Sequence, residues 1–146
     1  MRDEFFNDIG AQAKILRDKA QWDRETEQQN IGFPEDAVNA MAPVASEYIQ
    51  RLRDMGYRAE LTRLSDKLVV KLTWADSAEL FLRAGRLRMS DTVSYEASGQ
   101  SYHSYGTAIM PEMQYNRVGW SLDSYESALQ AFIKSFTDSA IEHGGL

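Results

Sequence analysis

YRAELTRLSDKLVVKLTWADSAELFLRAGRLRMSDTVSY, residues 57–95, alternates in a way that decides the fold. Leu61, then Leu68, Val70, Leu72 and Trp74, then Ala78, Leu80, Leu82 and Ala84, then Leu87 and Met89 recur at every second position within each run. Successive side chains of a strand point to opposite faces, so these residues share one apolar face. The alternate set, including Arg58, Glu60, Lys67, Lys71, Glu79, Arg83, Arg86 and Arg88, is polar and basic apart from Val69 and Phe81. One apolar and one polar face suit an antiparallel sheet covered on one side. The connectors Ser65-Asp66, Ala75-Asp76-Ser77 and Gly85 are too short for parallel crossovers and carry turn residues. Four consecutive strands are expected, the fourth beginning at Arg86.

The flanks read as helices. From Arg2 to Gln29 there is no proline, and Phe5, Ile9, Ala13, Leu16 and Ala20 recur at steps of three or four. Phe6 and Trp22 fall off that stripe, and Asp23–Asn30 holds nothing apolar. Gly32 and Pro34 then predict an interruption. A second helix is expected from Pro34 to Met55, on the stripe Val38, Met41, Ala45, Tyr48, Ile49, Leu52 and Met55. Pro34 suits a first helical turn, Pro43 predicts a kink or restart near Ala42, and Gly56 is a stop.

After the strands, EASGQSYHSYG (Glu96–Gly106) has no hydrophobic run and reads as a loop. Thr107–Met110 and Met113–Trp120 predict one or two more strands, with Pro111 between them. The last helix is capped by Ser121 or Asp123 and carries the stripe Leu122, Tyr125, Leu129, Phe132, Ile133, Phe136 and Ala140 up to Gly144-Gly145. The expected fold class is α+β in a single domain: two N-terminal helices, a mostly antiparallel sheet of four to six strands, and one C-terminal helix packed on the sheet. Residues 1–30 form a helix that is either loosely packed or at an interface, and residues 31–146 form the α+β domain. The expected core is Val38, Met41, Ile49, Leu52, Leu68, Val70, Leu72, Leu80, Leu82, Leu129, Phe132 and Phe136.

Composition excludes several chemistries. The chain has 146 residues, a net charge of −6 and no cysteine, which removes disulfides, thiolate metal sites and cysteine nucleophiles. Cysteine absence is compatible with the cytoplasm, where the protein is expected. No apolar run approaches the roughly 18 residues of a membrane span, and no signal peptide is read at the N-terminus. Charge is uneven: residues 1–56 carry 7 basic and 11 acidic groups, residues 57–95 carry 7 and 5, and residues 96–146 carry 2 and 6. Overall acidity opposes sequence-independent binding to phosphates.

Motifs for catalysis are missing. His103 and His143 have no ligand partners at metal-binding spacing, so no metal and no cofactor are expected. There is no G-x-S-x-G elbow and no phosphate-binding glycine motif. Ser101, His103 and Ser104 adjoin in sequence, which does not make a triad. Carboxylate pairs such as Asp91 with Glu96, or Asp76 with Glu79, read as solvated charges at turns and strand edges.

Two surfaces attract a functional reading. Tyr95, Tyr102, His103 and Tyr105, interleaved with Ser and Gly, have the composition of protein-binding loops. Lys67, Lys71, Arg83, Arg86 and Arg88 around Phe81 would suit a single-stranded nucleic acid, through phosphate contacts and base stacking. The order of helix, three strands and helix resembles double-stranded-RNA-binding domains. Those domains carry a basic helix start, whereas this last helix begins at Asp123 and has only Lys134 as a basic residue. The leading expectation is therefore a non-catalytic protein-binding domain of the adaptor, client-chaperone or inhibitor type, with another protein or a second copy of itself as partner. Nucleic-acid binding by the basic face and an enzyme site at the His103 loop are the alternatives.

Overall fold

The computed structural model describes residues 1–74, 78–100, 105–108 and 112–142, excepting the side chains of 100, 105–108 and 139–142. The chain divides into two units, Met1–Gly32 and Phe33–Leu146. One helix, α1 (Arg2–Asp54), replaces the two predicted, with Pro34 and Pro43 both inside it. An internal proline costs about 3 kcal/mol through its missing N–H and its clash with the preceding turn. Here Phe33, Pro34, Ala37, Val38, Met41, Ala42 and Ala45 are all buried. Each large apolar side chain so removed from water contributes about 1.5–3 kcal/mol, which outweighs the proline penalty. Helix α1 stops at Gly56, whose φ is 92°. The Gly56 amide donates to Arg53 O (2.9 Å) and the Tyr57 amide to Leu52 O (3.0 Å), a Schellman closure.

Unit 1, the start of α1, contains no buried residue. Among the described residues, unit 2 contains the rest of α1, six strands and a second helix. The strands are β1 (Arg58–Arg63), β2 (Lys67–Trp74), β3 (Ala78–Arg86), β4 (Val93–Gln100), β5 (Tyr105–Ala108) and β6 (Met113–Tyr115), followed by α2 (Leu122–Glu142). They form one antiparallel sheet in the order β1-β2-β3-β4-β5, with β6 pairing β4 beside β5. The fold is therefore α+β, with one antiparallel sheet and a C-terminal helix.

The first three strands follow the predicted alternation, but the fourth is displaced. Gly85 does not turn the chain: it lies in β3, paired with Lys67 and Ser94. A Cβ on Gly85 would stand 2.2 Å from Asp66 O and 2.7 Å from Lys67 Cα, so only glycine lets β3 pass the start of β2. The reversal falls at Leu87–Thr92 instead. There Leu87 N donates to Thr92 O (2.8 Å), Ser90 Oγ donates to Leu87 O (2.6 Å), and Arg88 takes a φ of 55°. Met89, expected on the apolar face, is fully exposed at this tip, and Met55 is exposed past the helix end.

Strand β4 then occupies Glu96–Gln100, half of the predicted loop. Val93, Tyr95, Ala97 and Gly99 point inward, while Ser94, Glu96 and Ser98 alternate outward. Ala97 and Gly99 carry too little hydrophobic mass to announce a strand by periodicity. The Thr107–Met110 expectation becomes β5, which begins two residues earlier at Tyr105 (residues 109–110 lie outside the described residues), and Met113–Trp120 contributes only β6. Pro111, the Ala75–Ser77 connector and Gly144-Gly145 lie outside the described residues.

Helix α2 is capped by Ser121: the Ser124 amide donates to Ser121 Oγ (3.2 Å). Its Tyr125, Ala128, Leu129, Phe132 and Phe136 join the second part of α1 and the inner sheet face in one core. Every residue expected in the core is buried.

Candidate functional site

The tyrosine-rich surface divides on folding. Tyr102 and His103 lie outside the described residues, and Tyr105 is described only as backbone of β5. Tyr95 sits on the inner face of β4 with no exposed surface. The Ser124 hydroxyl donates to Ser121 O at 2.6 Å. The Tyr95 hydroxyl therefore donates to Ser124 Oγ (2.8 Å) and accepts from Trp120 Nε1 (2.6 Å). Its ring meets Tyr115 at 5.1 Å and Tyr125 at 5.7 Å. Tyr95 thus ties β4 to the start of α2 and is a core residue in the folded chain.

Burial raises the Tyr95 phenol above its usual pKa, although the Ser124 and Trp120 hydrogen bonds pull it down. Burial, with Tyr95 nearby, raises Tyr125 further. Among the described residues, the buried Tyr125 hydroxyl finds no hydrogen-bond partner. Tyr48 bridges α1 to α2, donating to Glu126 Oε1 and accepting from Gln130 Nε2, both at 2.8 Å. Gln130 lowers its pKa, but the Glu126 hydrogen bond, burial and the charges of Glu126 and Glu47 raise it overall.

The outer sheet face is mixed rather than basic. Register sets Glu60, Lys71, Phe81 and Ser98 in one row across β1–β4, and Thr62, Val69, Arg83 and Glu96 in the next. Lys71 Nζ lies 3.1 Å from Glu60 Oε2 and 3.8 Å from Glu79 Oε1. Arg83 donates to Ser98 Oγ (2.8 Å) and stands 4.8 Å from the Phe81 ring centroid. Because Gly85 continues β3, Arg86 takes the parity of Leu82 and Ala84 and leaves the outer face. It binds Asp66 Oδ2 (3.2 Å), Ser90 O (2.9 Å) and Asp91 Oδ1 (3.8 Å), holding two turns together. Arg88 sits in the β3–β4 turn. Strand β4 brings Glu96 to this face, where the expected fourth strand would have brought Arg86 and Arg88.

Two open clefts border this face. One, of about 530 Å³, is lined by Arg53, Arg58 and Lys71 with Glu60 and Glu79, so most of its positive charge is offset. The other, of about 260 Å³, gathers Lys67, Arg83, Arg86 and Arg88 against Glu96 around Gly85. Among the described residues, no group of three or more His, Cys, Asp or Glu is placed to hold a metal ion, and no helix is long and apolar enough to cross a membrane.

Among the described residues, most of the exposed large apolar side chains are in unit 1. Phe5, Phe6, Ile9, Ile15, Leu16 and Trp22 are between 47% and 67% exposed. At 100° per residue, Phe5, Phe6, Ile9, Ala13, Leu16 and Ala20 fall within about 100° of the helix circumference. Phe6 therefore belongs to the stripe that sequence spacing assigned to the other five. Ile15 and Trp22 lie on the opposite side. Scattered exposed apolar residues are ordinary, whereas these side chains lie together along one side of the helix. The helical spacing was visible in sequence, but only the structure shows that nothing in unit 1 covers it.

No protein-family model, no curated protein and no solved structure matches the chain.

Proposed function

We propose that the chain is a non-catalytic protein-binding module whose contact surface is the helical stripe Phe5, Phe6, Ile9, Ala13, Leu16 and Ala20. The exposed stripe carries this reading. A folded domain gains nothing from keeping these side chains in water, and covering them returns about 25 cal/mol for each Å² of apolar surface removed. Amphipathic helices are recognised in this way, through anchors spaced by three or four residues. Phe6 and Leu16 are the anchors here, being large and among the most exposed side chains of the stripe. Unit 2 supplies the stable fold to which this helix belongs, and the outer sheet face, with its cross-strand ion pairs, serves solubility.

The test is site-specific photo-crosslinking in the native host. A photoreactive residue at Leu16 is expected to give a defined adduct, and the same residue at Asp18, on the far side of the helix, is expected to give none. Equal labelling at both positions, or none at either, would overturn the reading.

A further inference from the structure

We infer that the stripe's partner is a second copy of this chain, with the two N-terminal helices pairing antiparallel through residues 2–24. The inference rests on the stripe being a contact surface, and adds which surface meets it. It follows from how side-chain size and charge are distributed along unit 1.

Phe6, Ala13 and Ala20 occupy one heptad position, and Arg2, Ile9, Leu16 and Asp23 the other that faces a partner helix. In a parallel pair like meets like. Ala13 would face Ala13 and Ala20 face Ala20, across a gap set by Phe6 against Phe6, and the interface would hold voids. Asp23 would also face Asp23, and Lys19 of one copy would approach Arg24 of the other. Antiparallel pairing removes each conflict. Phe6 meets Leu16 of the other copy, and Ile9 meets Ala13, so large residues lie against smaller ones in successive layers. On one flank Asp3 lies opposite Arg17 and Arg24 of the other copy. On the other flank the Lys19 stem lies across Phe5. The two-fold axis repeats each favourable pair. No other segment is needed to supply the complement, because unit 1 carries both halves of it.

Sedimentation velocity of the full chain over a concentration series is expected to show a monomer–dimer equilibrium. Leu16→Asp should make it monomeric without shifting the thermal melt of unit 2. Asp3→Arg should weaken the dimer about tenfold, as should Arg17→Asp with Arg24→Asp. Combining all three should restore most of the affinity. The chain has no cysteine of its own, so orientation can be read by disulfide trapping. A mixture of Arg2→Cys and Ala20→Cys chains should cross-link, and Ala20→Cys alone should not. A monomer at every concentration, a dimer that survives Leu16→Asp, or efficient self-cross-linking of Ala20→Cys would overturn the inference. A Leu16 photo-adduct with a mass other than twice the chain's would remove the self-partner and leave the protein-binding reading standing. Absence of any adduct removes both.

Discussion

The two parts of α1 have the same helical spacing and opposite surroundings. Phe33, Val38, Met41, Ala45, Ile49 and Leu52 are buried in the core of unit 2, whereas Phe5, Phe6, Ile9, Leu16 and Trp22 remain in water. The difference does not come from how apolar the side chains are, since the exposed part carries three large aromatics. It comes from what meets them. The inner sheet face and α2 cover the second part of the helix, and nothing within unit 1 covers the first. An amphipathic stripe is thus a face that packing can cover, and only the fold says whether the chain itself covers it.

The largest expected effect sets the two parts directly against each other. Met41→Ala should cost about 2–5 kcal/mol in urea unfolding, through lost transfer energy and the cavity left behind. Leu16→Ala should stay within about 0.5 kcal/mol in the monomer. Comparable losses in both would mean that the exposed stripe is part of the cooperative fold, and the contrast would fail.

A smaller effect of opposite sign is expected inside the core that receives the second part. The Tyr125 hydroxyl is buried without a hydrogen-bond partner among the described residues, so Tyr125→Phe should stabilise the fold by about 1 kcal/mol. Its pKa is raised by burial, as is that of Tyr95. Above about pH 10 the unfolded chain releases phenolic protons that the folded chain still holds, so stability falls as pH rises. Below that pH both states are protonated and the full contribution is present. The variant should lose stability less steeply on this alkaline limb. An unchanged slope would mean that Tyr125 is hydrated and ionises freely in the folded chain.

The smallest effect belongs to the outer sheet face. Lys71→Ala removes contacts with Glu60 and Glu79 that are partly open to solvent. It should cost less than about 1 kcal/mol, and the difference should shrink in high salt. A larger loss would show this face to be covered like the inner one.

Much of unit 2 could be read without coordinates, because period-two and period-3.6 patterns depend only on which side chains avoid water. Leu68, Val70 and Leu72 declared β2, Leu80 and Leu82 declared β3, and Leu129, Phe132 and Phe136 declared α2. The misread elements are those where local preference lost to packing. Pro34 and Pro43 argue for helix breaks, but burial of their neighbours holds α1 continuous. Gly85 argues for a turn, but the approach of Asp66 makes it a strand residue, which moves Arg86 off the outer face and β4 onto Glu96–Gln100. Tyr95 looked like a contact residue because the small inward residues after it, Ala97 and Gly99, gave no strand signal.

The amphipathic stripe of residues 5–20 was set by the sequence alone, since helix geometry turns spacing into a face. That the stripe is exposed while its continuation is buried was decided by tertiary structure. The hydrophobic effect drives apolar surface out of water without specifying its neighbour, and neighbours are assigned only when strands and helices have taken their places.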